Sequence, residues 1–352
     1  MCLEIREGKN LENLKDREFL KDVPIEILKN IAPESVRDPI DKKLKKHLKD
    51  TGVYLWANGY NPTKFLGAGC NGVVWQCGDK AVKVTCNRKL GPFTIVNATA
   101  HEIEDVRKLS KVLDAGGSHK YTGKKGSIKN IESGRYISVS EDKGAIDSER
   151  HIFESKKAKG DLSKDIQNKK RGIDDIIRIG KQVLKALRVI HDAGYSHNDV
   201  KPDNLLSVER ISKRFRTNKE AVKLSDFGAM TEINKTRKIF VNSKCYAPDW
   251  YDTRPEAVAK RDVYAVGISL LSLLTRDKDM NHARKTAKEL YSEGSNKFLG
   301  KDNYGLKKLY GEGKEEEKLL GLLQVIRPMI AEKCKLRLSV DDSLMRMERL
   351  SS

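Results

Sequence analysis

The 352-residue sequence predicts an α+β protein, with a small antiparallel sheet followed by a larger, almost wholly helical part. Two observations carry this. Up to about residue 156, short runs rich in valine and aromatics alternate with glycine turns, as paired strands require. From about Gly160 onward the apolar residues recur at helical spacing instead, over Ile173–His191, Val258–Leu274, Glu317–Ile330 and Val340–Leu350. A chain of this length buries one large core or two modest ones. The expected division is a charged helical extension over 1–58, a sheet region over 59–156 and a helical region over 157–352.

In the extension, Leu11, Leu14, Phe19 and Leu20 are spaced for an amphipathic face, and Pro24, Pro33 and Pro39 interrupt it. Strands are expected at Lys64–Leu66, Val73–Cys77 and Lys80–Thr85, the last two joined by the tight turn Gly78-Asp79, a strong hairpin signal. Ala100–Leu113 places Ile103, Val106, Leu109 and Val112 on one helical face, and Gly116–Gly126 reads as a loop rich in Gly, Ser and Lys. Tyr136–Val139 and His151–Phe153 are strand-like. Val258–Leu274 is the most apolar helix and is expected to be a core strut.

The formal charge of +19 comes from 69 Lys and Arg spread along the chain, which suits a solvated basic surface or an acidic partner better than a nucleic-acid footprint. The six cysteines (Cys2, Cys70, Cys77, Cys86, Cys245, Cys334) are scattered, so neither a disulfide framework nor a zinc site is indicated, and a reducing compartment fits best. Met1–Asn30 is charged throughout and Val263–Leu274 is too short to span a bilayer. A soluble, cytoplasmic protein is expected.

Gly67-Ala68-Gly69-Cys70-Asn71-Gly72 lies between two expected strands, where absent side chains let main-chain N–H groups close over phosphates. A glycine-rich hairpin with no ligand is the plainer alternative. Lys83, between apolar neighbours on the next strand, can aim its ammonium at a phosphate, and Glu102 on the following helix can fix it, with Glu104 the competing choice. The most informative stretch is Ser196-His197-Asn198-Asp199-Val200-Lys201-Pro202-Asp203-Asn204. It gathers a base for a hydroxyl (Asp199), a cation for the transferring group (Lys201) and an amide oxygen for Mg²⁺ (Asn204). Asp226-Phe227-Gly228 then delivers a carboxylate to a sharp turn, as a hard cation needs.

Over about residues 60–347 these elements, in this order, resemble the eukaryotic-type protein kinase family, a bilobal fold with a sheet lobe and a helical lobe. The resemblance implies an enzyme that moves the γ-phosphoryl group of ATP to a protein hydroxyl, with ATP in the cleft between the lobes and Mg²⁺ as cofactor, Mn²⁺ being the alternative. It implies that Gly67, Ala68, Gly69 and Gly72 cover the phosphates and that Val74, Ala81 and Leu206 sandwich the adenine. Lys83, paired with Glu102, would hold the α and β phosphates. Asp199 would be the catalytic base, Lys201 would assist transfer, and Asn204 and Asp226 would hold the metal. Phe153 would be the gatekeeper and Glu154 part of the nucleotide-contacting hinge, within a residue of register. His197 would stack on Phe227, anchored by Asp262, and Asp249 would pair with Arg337. Lysine two places after Asp199 resembles the serine/threonine branch.

Asn198 stands where the family usually has arginine, which weakens the cationic pocket for a phosphorylated activation loop and implies independence of such phosphorylation. Asp249 shortens the usual glutamate, and Asn242 or Ser243 falls where a substrate-facing threonine is usual, so the peptide-docking surface is atypical. The connection from Leu206 to Leu224 is long and basic, an extra hairpin where an acidic partner could dock. His-Asn-Asp and the lysine-rich composition are also similar to kinases that pathogenic bacteria deliver into host cells, which would place the protein in a host cytoplasm. The readings from other classes are a pseudokinase or scaffold, usually marked by loss of residues such as Lys83, Asp199 or Asp226, and a small-molecule kinase, which commonly lacks the glycine triplet and the Ala-Pro-acidic segment.

Overall fold

A computed structural model describes residues 51–69, 72–85, 88–90, 94–96, 137–138, 140–145, 151–168, 171–211, 218–234, 247–311 and 313–350. These fall into two compact units, 51–96 with 140–157, and 137–138 with 158–350. The helix expected over Ala100–Leu113, with Glu102 and Glu104, and the loop at Gly116–Gly126 lie outside the described residues.

The first unit is built on a five-stranded antiparallel sheet in the order β1-β2-β3-β7-β6. Its strands are β1 (Pro62–Gly69), β2 (Gly72–Cys77), β3 (Lys80–Thr85), β6 (Ser140–Ala145) and β7 (His151–Lys156); β4 (Arg88–Leu90) and β5 (Thr94–Val96) form a separate ribbon. The β2–β3 turn is the one expected, since Cys77 pairs with Lys80 and Gly78 takes φ +64, which glycine accepts without strain. Strand alternation sorts the faces. Val73, Trp75, Val82 and Val84 are buried and pack with Val53 and Leu55 of α1, residues 51–57. The Trp75 indole N–H donates to Thr51 Oγ1 at 3.1 Å, satisfying a polar group that burial would otherwise orphan. The boundary expected at 58/59 therefore runs through a shared apolar layer, because Val53 and Leu55 belong to it.

Gly72 pairs with Thr85 at φ +149, and a Cβ there would lie 2.3 Å from the Val84 carbonyl oxygen. Gly72→Ala is expected to destabilise this unit by about 1–3 kcal/mol, read as a lower denaturant midpoint. At Gly67 a Cβ meets nothing within 4 Å, so Gly67→Ala should leave that midpoint nearly unchanged.

β6 was not legible in sequence. Ser140–Ala145 carries no apolar alternation, and it becomes a strand by pairing along β7.

The second unit is organised around α4 (Pro255–Thr275), buried on nearly every side, as expected of a core strut. Helix α3 (Ile173–Asp192) packs an apolar stripe including Ile176, Val183, Leu187 and Ile190 into the same core. α2 (Leu162–Asn168) precedes it. After α4 come α5 (Met280–Glu293), α6 (Ser295–Lys301), α7 (Leu306–Tyr310), α8 (Lys314–Met329) and α9 (Val340–Arg349). Ser339 caps α9, its hydroxyl accepting from the Asp342 N–H at 3.1 Å.

Short strands complete this unit. β8 (Gly160–Asp161), β10 (Leu205–Ile211) and β11 (Asn218–Leu224) form one sheet, and β9 (Tyr195–Ser196) pairs with β12 (Thr231–Glu232). Of the strand expected at Tyr136–Val139, Ile137 forms a bridge to Leu224, and Tyr136 and Val139 lie outside the described residues. The expected extra hairpin is β10–β11, paired from Leu205↔Leu224 to Ile211↔Asn218. It is tied to α3 through Gln182, whose side-chain oxygen accepts from the Val222 N–H at 2.8 Å. The Glu220 carboxylate receives both terminal nitrogens of Arg171 at 2.9 and 3.0 Å. Among the described residues, no helix is long and apolar enough to cross a membrane.

Candidate active site

In the second unit, β9 leads into the segment Ser196–Lys201, the 3₁₀ turn Pro202–Asn204 follows, and β10 leaves at Leu205. One carboxylate positions the segment. Asp262 on α4, 1% exposed, accepts the main-chain N–H groups of His197 (2.8 Å) and Asn198 (2.7 Å) and the Ser196 hydroxyl (2.9 Å), and lies 2.8 Å from His191 Nε2. Burial alone would raise the Asp262 pKa; the hydrogen bond and charge of His191, with His197, outweigh it and hold the carboxyl below the ordinary range. His191 and Ser196 were not anticipated as its partners. The signal was available, since a carboxylate in an otherwise apolar helix must find donors when buried.

Asn198 takes φ +62, a left-handed conformation that asparagine tolerates. Its amide nitrogen donates to the carbonyls of Ser196 (3.2 Å) and Ala229 (3.0 Å) and to Thr231 Oγ1 (2.9 Å). A neutral amide thus ties the loop to β12.

Asp199 has two different oxygens. Oδ2 accepts from Lys201 Nζ at 2.7 Å and from Asn204 Nδ2 at 2.9 Å, whereas Oδ1 makes no hydrogen bond among the described residues. Burial lowers the Lys201 pKa, but Asp199, with Asp226 and Asp203, outweighs it and keeps the ammonium above the usual lysine range. One carboxylate oxygen is fixed and charge-compensated, and the other can accept a proton from an incoming hydroxyl.

The buried Asn204 amide nitrogen also donates to the Asp199 carbonyl at 2.8 Å, which leaves its side-chain oxygen for a cation. The Ser225 N–H and hydroxyl both donate to the Asn204 carbonyl at 3.0 Å, so the next residue, Asp226, is held beside Asn204. Asp226 is exposed and takes φ +61. Buried Phe227 packs edge-on against His197, with ring centroids 5.1 Å apart, as expected. An amide oxygen and a carboxylate suit a hard divalent cation that draws its other ligands from phosphate and water; Mg²⁺ takes such sites. Among the described residues no three His, Cys, Asp or Glu side chains converge as an all-protein metal cage.

Farther along, Arg337, 2% exposed, donates to Asp249 Oδ1 at 2.9 Å and to the Ala331 and Glu332 carbonyls at 2.9 and 3.0 Å, with Tyr264 under its guanidinium at 5.2 Å. The shorter aspartate reaches the arginine.

In the first unit, Val74 is paired with Lys83, and alternation puts both, with Ala81, on the face opposite the Trp75 layer. All three are half-buried. Gly67, Ala68 and Gly69 lie at the end of β1 and Gly72 opens β2. Phe153 is buried and lies opposite Lys83 across the β3–β7 ladder. Glu154 lies next to Phe153 on β7. Its side chain is turned to the α1 face, where it accepts from Tyr60 OH at 2.6 Å and Lys80 Nζ at 2.7 Å, so what it can offer a ligand is main chain. Val82 is its ladder partner on β3, which dictates that face. Leu206, on β10 of the second unit, is half-buried and pairs with Lys223 and Asp161.

A carboxylate with one free oxygen, a compensating lysine and two oxygen groups that could hold a hard cation suit a phosphoryl-transfer loop. The family model for the protein kinase domain matches residues 118–346, more than half of the chain, and the chain belongs to that family. The antiparallel-sheet unit and the helical unit are the two lobes of its bilobal fold. The matched stretch starts after β3, so the glycine strands and Lys83 precede it.

Curated relatives are kinases. Serine/threonine-protein kinase ArnS of Sulfolobus acidocaldarius is 26% identical over 246 residues, 64% of this chain and 39% of that protein. A probable serine/threonine-protein kinase of Clostridium perfringens is 27% identical over 205 residues, 55% of this chain and 26% of that protein. Sperm motility kinase 2B of Mus musculus is 32% identical over 105 residues, 29% of this chain and 20% of that protein. The chain spans well under half the length of these relatives.

Proposed function

We propose that this chain is a serine/threonine protein kinase that transfers the γ-phosphoryl group of ATP to a protein hydroxyl, in a cytoplasm. The observation that carries the reading is the Asp199 carboxylate, with Oδ2 held by Lys201 and Asn204 and Oδ1 left to accept a hydroxyl proton. Asp199 orients and deprotonates the substrate hydroxyl, and Lys201 offsets charge on the transferring group. A Mg²⁺ ion bound by Asn204 and Asp226 would neutralise phosphate charge. Gly67, Ala68, Gly69 and Gly72 cover the phosphates, Lys83 with Glu102 orients them, and Val74, Ala81 and Leu206 line the adenine site. The serine/threonine assignment is supported by Lys201 and by the names of the relatives. The basic β10–β11 hairpin is the candidate site for an acidic partner.

The test is transfer of labelled phosphate from Mg·ATP to the protein itself and to generic basic proteins, beside Lys83→Ala and Asp199→Ala. Labelled serine or threonine in the parent, with both variants silent, supports the reading. ATP binding without transfer under any condition favours the scaffold.

Independence of activation-loop phosphorylation is part of this proposal. The Asn198 tether uses an uncharged amide, and two of its three acceptors are main-chain carbonyls that no side-chain replacement removes. The triple variant Thr231→Ala, Thr236→Ala, Ser243→Ala is therefore expected to keep its kcat/KM within about tenfold of the parent, and a larger loss overturns the idea.

A further inference from the structure

Consecutive residues of α4 hold two different segments of the second unit. Asp262 takes the N–H groups of His197 and Asn198 in the catalytic loop, and Arg261 beside it reaches the turn 247–254, where its Nη2 donates to the Asp252 carbonyl. Arg337 holds the same turn at Asp249, and its Nη1 donates to the Lys260 carbonyl of α4 at 3.4 Å. Inside the turn, the Trp250 N–H donates to the Ala247 carbonyl at 3.1 Å and the Asp252 N–H to the Asp249 carbonyl at 3.0 Å. Turn and catalytic loop are thus fixed to one helix.

Arg261 is a costly way to hold a turn. It is 6% exposed, and its Nε and Nη1 are buried with no hydrogen-bond partner among the described residues. Burial pushes its pKa below the usual arginine range, although Asp249, Asp252 and Asp262 attract the guanidinium. Neither Asp249 nor Asp252 depends on it for charge, since Arg337 pairs with the first and Arg254 with the second. A buried cation whose neighbours already have partners contributes little to folding, and an apolar side chain of similar size serves stability as well. What the guanidinium adds is a fixed distance from α4 to the turn. The turn in its place carries two aromatics into water: Trp250 is 45% and Tyr251 72% exposed, edge to face with ring centroids 6.3 Å apart. Tryptophan and tyrosine are the residues that most often anchor protein contacts, and an anchor already held rigid loses little entropy on binding.

We propose, on the kinase reading of this chain, that Trp250 and Tyr251 dock the protein substrate and that Arg261 is the positioning residue that sets this anchor at a fixed offset from Asp199. The occupant is the substrate because the turn shares its support with the catalytic loop. Residues 261 and 262 of α4 hold one segment each, so a chain docked on the aromatic pair is kept in register with the base.

The first measurement is amide hydrogen exchange in the full chain. Arg261→Met is expected to speed exchange at Trp250 and Asp252 about tenfold, because a charge-assisted tether is lost, while His197 and Asn198 stay within about threefold. Its melting temperature should lie within about 3 °C of the parent. Arg261→Lys, which keeps a cationic donor for the Asp252 carbonyl, should restore slow exchange. In steady-state transfer to a basic protein, Arg261→Met and the double variant Trp250→Ser, Tyr251→Ser should each raise the KM for protein about fivefold or more, with the KM for ATP within about twofold. An arginine with a merely structural role would lower the melting temperature and leave the ratio of the two KM values unchanged. The proposal is overturned if exchange in the turn is the same in Arg261→Met as in the parent. It is also overturned if the aromatic double variant keeps the parent's KM for protein, as it would were the pair covered by another partner or a second copy. A parent that transfers no phosphate removes the docking claim together with the kinase reading, and exchange then decides the positioning by itself.

Discussion

Asp199→Asn is expected to lower kcat by roughly 10²–10⁴-fold, the range that a positioned general base supplies, while leaving the melting temperature close to that of the parent. An amide keeps the shape of the carboxylate but cannot take a proton. It also loses the anion that Lys201 meets at 2.7 Å and that helps hold the lysine ammonium above its usual range. The Asn204 amide nitrogen retains its bond to the residue 199 carbonyl, so the turn into β10 should survive. ATP affinity, measured by nucleotide titration, should change little. Transfer within tenfold of the parent in Asp199→Asn would mean that the proton leaves by another route.

Asp262→Ala should have the largest effect on stability, about 3–5 kcal/mol by denaturant unfolding near neutral pH, together with loss of transfer. Two main-chain N–H groups, the Ser196 hydroxyl and His191 all converge on this carboxylate; its removal takes the acceptor from both N–H groups and from the largely buried His191, and leaves the Ser196 hydroxyl with the Val258 carbonyl. The sign with pH follows from its lowered pKa. A carboxyl whose folded value lies below its unfolded value contributes stability that is complete above the unfolded value and is lost as pH falls through the folded one. The difference between parent and Asp262→Ala should therefore narrow as pH drops below about 4. A difference that stays constant into stronger acid would assign the effect to lost packing instead of charge.

Much of the candidate loop was legible because its chemistry is local. Asp199, Lys201 and Asn204 are close in sequence, and a tight turn brings such residues together whatever surrounds them; the structure joins all three by direct hydrogen bonds. Hairpin β2–β3 was legible for the same reason, as Gly78-Asp79 selects its own turn. α4 announced itself by an apolar run that only a core position would accommodate. Glu154 was less legible. In sequence it follows Phe153 and can serve either face, and the β3–β7 register, set by tertiary pairing, turned its side chain toward Tyr60 and Lys80.

The sequence by itself determined the protein's class, since the order of residue types from Asp199 to Gly228 and the shift from strand to helix periodicity are written along the chain. Tertiary structure decided which distant groups meet. It made Ser140–Ala145 a strand through β7 and brought α1 onto Trp75. It also set the Asp262 carboxylate against main-chain donors 64 and 65 residues away. The physical reason is that local turns and periodicities follow from short-range sterics and side-chain patterning. Long-range pairings are chosen by which arrangement buries the most apolar surface while leaving the fewest polar groups unmet.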